Sequence, residues 1–291
     1  VKRSLVVHGM KGLGDNIYQR AFIKALAADR EYAVYVETPW PEVYEDLDVR
    51  FLSVSTNLRT QAANVARQPA GRWANTPIRP ARRIRVSYGA GHLQVGSIVQ
   101  AMESAFSVAP GPWDLPSGFP RSQRDRPIAV VRPVTERGEW HNSARNPLPE
   151  YVAQVADDLM CDYHVISVAD VAAGAEWLVG HPPPAHEQFH AGELRVRELL
   201  GLIQSASVVV GGVGWIVPAC IAARTPLFVI HGGHGGHNAR ERITDARMDL
   251  RHVEFAEPDH FCRCDRMRHA CDKRNSRIGE QWRAFRRERG L

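Results

Sequence analysis

Apolar and polar positions along the chain follow two alternating periods. A short apolar run at 5–7 leads into a glycine-rich turn, Gly9-Met10-Lys11-Gly12-Leu13-Gly14. Apolar residues then recur at Ile17, Phe22, Ile23 and Leu26 with helical spacing. This reads as strand, glycine turn and helix, with Asp15 at the mouth of the helix. The same grammar predicts strands over 32–37, 49–54 and 84–88 and a helix over 96–106. Between them, residues 56–82 read as a polar, Arg-rich loop with little helix. A Pro/Gly-rich stretch at 110–120, followed by polar residues to 126, marks a domain boundary. The pattern then restarts. Strands are expected over 128–132, 164–168, 207–210 and 227–231, and helices over 149–160, 196–205 and 215–223, with a helical turn at 172–179. Alternation of this kind implies parallel sheets wrapped by helices. The expected fold class is therefore α/β, with two Rossmann-like parallel-sheet domains, residues 1–122 and 123–291, facing each other across a cleft.

In open α/β sheets ligands bind outside the carboxyl ends of the strands. Asp15 sits where a catalytic base belongs, and equally where a tight βα turn places a helix N-cap. Composition narrows the class. The chain has 291 residues, 44% of them hydrophobic, enough for two cores. No apolar run is long enough for a membrane span or a signal peptide. The five cysteines, Cys161, Cys220, Cys262, Cys264 and Cys271, are odd in number and cluster towards one end. They argue for reduced thiols in a cytoplasm rather than a disulfide framework.

The formal net charge is +5, unevenly spread. From 49 to 102 there is no Asp or Glu, while Arg50, Arg59, Arg67, Arg72, Arg79, Arg82, Arg83 and Arg85 all fall in that window, with Trp73 and Tyr88 interleaved. Arginine grips phosphate and carboxylate bidentately, so the window favours an anionic partner over a plain solvated loop. A second basic block, Lys273 to Arg289 with Trp282 and Phe285, reads as a C-terminal helix packing back on the body with a charged outer face.

The order of motifs resembles glycosyltransferase family 9, the heptosyltransferase-like enzymes of the GT-B fold. Gly12-Leu13-Gly14-Asp15 ahead of Lys24-Ala25-Leu26 is similar to the family's N-terminal Gly-Asp motif. Val130-Val131-Arg132-Pro133 opens the second half, and Arg145-Asn146-Pro147-Leu148-Pro149-Glu150-Tyr151 is similar to its basic approach to a helix. Residues 198–206, then 208–211, and 225–232 resemble the segments around the donor loop. Cys262-Arg263-Cys264 with Cys271 is similar to cysteine clusters near the end of some members. One departure stands out: Val213 and Pro218 occupy the donor-loop positions where the family carries Asp and His.

The resemblance implies sugar transfer from a nucleotide-diphosphate donor, with inversion and no cofactor in catalysis. Such transfer needs a base for the acceptor hydroxyl and positive charge or amides for the departing diphosphate. Asp15 is the expected base, ionised by its place at a helix start. Arg145 is the expected partner of the diphosphate, with Lys11 as a second choice. The expected donor-binding residues are Arg132, Glu176 (at the ribose, or else on a helix surface), Gly211, Gly212, Gly214, His231, Gly232 and Gly233. Lys11, Gly12, Arg79, Arg82, Arg83 and Arg85 are the expected acceptor contacts. The loop carrying His231, His234 and His237 follows no zinc spacing and reads as a pocket wall rather than a metal site. Cys262, Cys264 and Cys271, with His269 and His260 nearby, can supply four ligands for a structural zinc, His269 being the expected fourth, set against the plainer reading of reduced cysteines in a basic tail. Two acceptors fit the Arg window: a lipopolysaccharide-core glycan, with peripheral contact to a membrane, or DNA bearing a hydroxymethylated pyrimidine. The altered donor loop leaves a non-catalytic nucleotide- or nucleic-acid-binding protein as the alternative.

Overall fold

The computed structural model describes residues 2–291. It divides into two compact units, residues up to Gly118 and Phe119–Leu291.

The first unit is built on four parallel strands, β1 (Arg3–His8), β2 (Tyr32–Glu37), β3 (Val49–Leu52) and β4 (Arg82–Arg85), in the order β3-β2-β1-β4. Its helices are α1 (Leu13–Ala28), α2 (Arg59–Arg67), α3 (Ala90–Val95) and α4 (Ile98–Phe106). Leu5 and Val7 on β1, Val34 and Val36 on β2, and Ile84 on β4 are buried with Ile17, Phe22, Val99, Met102 and Phe106 from α1 and α4. The Phe22 and Phe106 rings stack at 5.0 Å and fix α1 against α4. Helix α2 corrects the loop expected there. Its buried face is polar, with Asn64 donating to Pro39 O and the Glu42 carboxylate and Gln61 accepting from Thr56, so a count of apolar residues misses it. Strand β4 starts and stops earlier than expected. After Val86 donates to His8 O, β1 has ended and residues 87–88 leave the sheet.

Arg20 on α1 is 1% exposed yet fully partnered. It donates to both Asp46 oxygens at 2.7 and 2.8 Å, to Asp114 at 3.0 Å and to Val43 O at 2.8 Å. Lys24 shares Asp114. One guanidinium thereby ties α1 to two loops of the same unit.

The second unit has six parallel strands in the order β12-β11-β10-β5-β7-β9. They are β5 (Ile128–Arg132), β7 (His164–Val168), β9 (Glu187–Phe189), β10 (Val208–Gly211), β11 (Leu227–Ile230) and β12 (Val253–Ala256). Strand β6 (Thr135–Arg137) pairs antiparallel with β8 (Glu176–Leu178) in a separate ribbon. That ribbon replaces the helical turn expected at 172–179; Gly174, at φ +72°, makes the turn that sends 176–178 back along 135–137. Helices α5 (Pro149–Leu159), α6 (Val196–Ser205), α7 (Ile216–Ala223), α8 (Gly235–Asn238), α9 (Arg240–Ile243) and α10 (Ile278–Arg289) complete the unit. α5 and α10 share one core, Val152, Val155 and Leu159 meeting Trp282 and Phe285 over Val131, Val210 and Phe228. As expected, the basic tail helix docks on the body. Trp282 donates to Asp158 at 2.8 Å, and Arg286 bridges Asp158 and Asp162. No helix among the described residues is long and apolar enough to cross a membrane.

Removing Arg20 leaves two carboxylates without their shared cation, though both keep access to water. Arg20→Met is expected to lower stability by about 2–3 kcal/mol, at the lower edge of buried-pair losses. Urea denaturation of the variant checks this; an unchanged midpoint would show that the network contributes nothing net.

Candidate functional site

In the first unit the strand order reverses direction at β1/β4, the topological position where open sheets bind ligands. The glycine turn emerges there and is held from behind by the helix it starts. Met10 N–H donates to Gln19 at 2.7 Å, and Asn16 donates to Met10 O and Gly12 O at 2.9 and 2.8 Å. A Cβ on Gly9 would lie 2.7 Å from the Gln19 side chain, and one on Gly12 would lie 2.4 Å from Asp15 Oδ2. Lys11 turns away and donates to Ser55 O at 2.8 Å.

Asp15 is not the N-cap. Gly12 takes that place, and Asp15, three residues on, accepts from its backbone N–H. The expectation of a lowered pKa is also corrected: Asp15 is pushed up to about 6, because desolvation outweighs the hydrogen bonds from Tyr88 and Gly12. Tyr88 donates to Oδ1 at 2.5 Å. Burial raises the pKa of Tyr18 and Tyr44 as well, with the Asp15 charge adding to each, so these phenols stay protonated around it. At the ends of β1 and β2, His8 and Glu37 pair at 2.5 Å. Arg79, Arg83 and Arg85 are exposed, the last two on edge strand β4; Arg82 instead donates to Phe106 O at 3.0 Å.

In the second unit the corresponding reversal lies between β5 and β10, where Arg132 and Gly211 are register partners. The glycine loop after β10 packs tightly on Arg132: added Cβ atoms at Gly211 and Gly214 would lie 2.9 Å from its Cβ and 3.3 Å from its Nη1. At Gly212 a Cβ would lie 2.8 Å from Pro147. Burial lowers the Arg132 pKa, Glu176 on β8 works against that, and Arg137 adds to it. Glu176 is thus on a strand rather than a helix surface, close enough for its charge to act on Arg132. The Arg145 guanidinium lies 4.9 Å from the Trp140 ring centre and that of Arg137 5.4 Å. The structure therefore brings Arg132, Glu176, Gly211, Gly212 and Gly214 together, with Arg145 on the segment packed against Gly212. Trp140, which holds two of the arginines, was missed by the motif reading; an aromatic five residues before Arg145 was the available signal.

His231, Gly232 and Gly233 are differently placed. His231 is buried between Phe255 and Phe261, at 5.7 and 5.1 Å, and burial pushes its pKa down to about 4, so it is neutral. Gly232 and Gly233 are buried against chain rather than facing an open crevice. A Cβ would lie 2.0 Å from Asn146 O at the first and 2.3 Å from Cys271 Sγ at the second.

Cys262, Cys264, His269 and Cys271 converge, their ligand atoms all within 4.8 Å of one another. Cys262 Sγ lies 3.6 Å from His269 Nδ1, Cys264 Sγ 3.6 Å from Cys271 Sγ, and His269 Nδ1 3.3 Å from Cys271 Sγ. A tetrahedral ion with metal–sulfur bonds of about 2.3 Å needs edges of about 3.5–3.8 Å, so the set fits a metal such as zinc. The amides of Cys264 and His234 point at the sulfurs of Cys262 and Cys271. His231, His234 and His237 form no such group among the described residues. The cysteine segment is hydrogen-bonded to two loops: Gly235 and Gly236 donate to Cys262 O and Cys264 O, while Ala144 donates to Met267 O and accepts from Gly233. Lys273 donates to Ser143 O at 2.8 Å.

No protein-family model matches the chain, and no curated protein matches it. Among solved structures it is similar to the iron-containing dodecameric glycosyltransferase TibC of enterotoxigenic E. coli. The TM-score is 0.65 at 15% identity, over 98% of this chain and 76% of that one. It is similar to the E. coli ADP-heptose lipopolysaccharide heptosyltransferase II, with TM-score 0.57 at 13% identity over 99% and 100% of the two chains. It is also similar to a family 9 glycosyltransferase of Veillonella parvula, with TM-score 0.52 at 11% identity over 87% and 85%. These likenesses establish the fold: two α/β units on parallel sheets, the GT-B type.

Protein purified without chelator is expected to carry about one metal per chain, and chelation or Cys264→Ser to lower its Tm. Elemental analysis alongside a thermal melt checks both; metal far below one per chain would leave the four side chains as reduced, packed residues.

Proposed function

We propose that this chain is a glycosyltransferase that moves a sugar from a nucleotide-diphosphate donor to a hydroxyl of an anionic acceptor, with inversion at the anomeric carbon. The observation that carries this reading is Asp15: a half-buried carboxylate at the β1/β4 reversal of a fold shared with heptosyltransferases, its pKa near 6. A base of that strength is ionised at neutral pH and still takes a proton as the acceptor oxygen attacks. The acceptor O–C1 bond forms as the C1–O bond to the diphosphate breaks, and the proton passes to Asp15.

The second unit supplies the other half of the chemistry. Arg145 and Arg132 take up the negative charge of the leaving diphosphate, and Glu176 holds the ribose. Gly211, Gly212 and Gly214 let the donor loop run close to Arg132, which is the support for its altered sequence remaining competent. His231, Gly232 and Gly233 shape the second unit from beneath. TibC has been solved with ADP-D-β-D-heptose, so an ADP-linked heptose is the first donor to try. The cysteine cluster takes zinc or, as the iron-containing TibC suggests, iron, in a structural role outside catalysis. Its reduced thiols suit a cytoplasmic protein.

A lipopolysaccharide-core glycan at a membrane surface is the favoured acceptor, since heptosyltransferase II acts on lipopolysaccharide. Exposed Arg79, Arg83 and Arg85, in a window without acids, favour DNA carrying hydroxymethylpyrimidine as the second reading. An intact-mass assay with both acceptors and a pool of nucleotide sugars decides between them. Donor binding without product for either acceptor would favour the non-catalytic alternative.

Asp15→Asn is expected to cut turnover by roughly 10²–10⁴ with donor affinity retained. Arg145→Ala should reduce turnover and weaken donor binding together. Because Asp15 must be ionised, kcat/KM of the native protein should fall as pH drops through about 6. A full-rate Asp15→Asn variant, or a flat profile from pH 5 to 8, would remove Asp15 from the role.

A further inference from the structure

We infer that Tyr88 is a positioning residue for Asp15, its hydroxyl holding Oδ1 so that the carboxylate keeps one orientation towards the acceptor. The inference rests on the reading of Asp15 as the base. Its geometry is independent of that reading. Tyr88 Oη lies 2.5 Å from Oδ1. The segment that carries it is fixed on both sides: Val86 N–H donates to His8 O at 2.9 Å before it, and Gly89 begins α3 after it. From the other side the Gly12 amide donates to the same carboxylate. Two donors on separate pieces of backbone thus hold one acid.

The groups around Asp15 explain why a phenol serves here. Tyr18 on α1 and Tyr44 on the short helical turn Pro41–Tyr44 feel the charge of Asp15, and Tyr88 reaches it from the exit of β4. Lys11, the nearest cation in sequence, is turned to Ser55 O, and no arginine or lysine figures among the groups that set the charge state of Asp15. A guanidinium in place of Tyr88 would stabilise the carboxylate so well that it would barely accept a proton. Without any donor, burial would leave the acid protonated at neutral pH. A neutral hydroxyl lies between these limits and keeps Asp15 both charged and basic.

The test is Tyr88→Phe, which keeps the ring and removes the hydroxyl. Carbon-13 NMR of the Asp15 carboxyl in donor-free protein is expected to show its titration midpoint rise from about 6 by roughly one pH unit, the usual worth of a hydrogen bond to a charged group. The acidic limb of kcat/KM should move up by the same amount, kcat on the alkaline plateau should fall several-fold, and the donor KM should stay put. A midpoint and limb both unmoved would overturn the proposal. In native protein, the Tyr88 ring-carbon shift should follow the Asp15 midpoint; a Tyr88 signal indifferent to that titration would overturn it without any variant. Both titrations are read without substrate. A wrong transferase assignment would instead appear as no product from the native protein with any acceptor, and a wrong choice of base as a full-rate Asp15→Asn variant, so these failures stay separate from that of the Tyr88 proposal.

Discussion

The arginines of the second unit are placed by backbone approaching closer than any side chain allows. At Gly232 a single added carbon would sit 2.0 Å from Asn146 O, and at Gly233 it would meet both Cys271 Sγ and Ala144 O. Glycine here supplies room rather than unusual torsion, since neither residue has positive φ. With the room available, residues 142–146, the loop after β11 and the cysteine segment lock by amide-to-carbonyl bonds. Arg145 leaves this junction and lies over Trp140, and Pro147 continues it to Gly212 of the loop after β10. The loop that carries Arg145 is therefore positioned by main chain packed against the cysteine segment.

The first unit solves a related problem with side chains. Its glycine turn has no rigidity of its own, and Asn16 and Gln19 reach back from α1 to bond it. Thr38 and Tyr44 then donate to the Asn16 side chain at 2.7 and 2.9 Å, so the polar residues behind the turn are themselves fixed. Arg20 extends this from the next turn of the helix. The polar face of α1 is buried, which is why its acid is desolvated despite standing at a helix start: the helix dipole favours the charged form only weakly beside the loss of water.

Much of the fold is legible in apolar periodicity. Strands Tyr32–Glu37, Ile128–Arg132 and His164–Val168 fall where alternation and buried runs place them, because parallel strands covered on both faces must be apolar. Elements with polar interiors were not legible: α2 buries Gln61 and Asn64, and the β6–β8 ribbon is too short to carry a period. At the candidate site, the glycine turn ahead of a helix pointed to Asp15, and the family resemblance to Arg132 and Gly211. The environment of Asp15 did not follow, because Tyr88 is 73 residues away in sequence and the sign of a pKa shift depends on that neighbour and on burial. The glycines after β11 read as a ligand loop because Gly-Gly permits close approach, and sequence does not say what approaches.

The junction beneath Arg145 also has a place in time. Lys273 reaches Ser143 across 130 residues of chain, and Asn142 reaches His234 across 92. Contacts so distant in sequence close large loops, and each pays its ordering entropy only once the sheet between them exists. The arginine loop thus depends on the sheet that lies between its partners in sequence. It is built mainly from turn-to-turn bonds rather than sheet or helix ladders, but Ala144 and residues 231–235 are buried, so its protection rests on packing. Hydrogen exchange at the Ala144, Gly233 and Gly235 amides, each donated to a carbonyl across the junction, would report how firmly that packing holds.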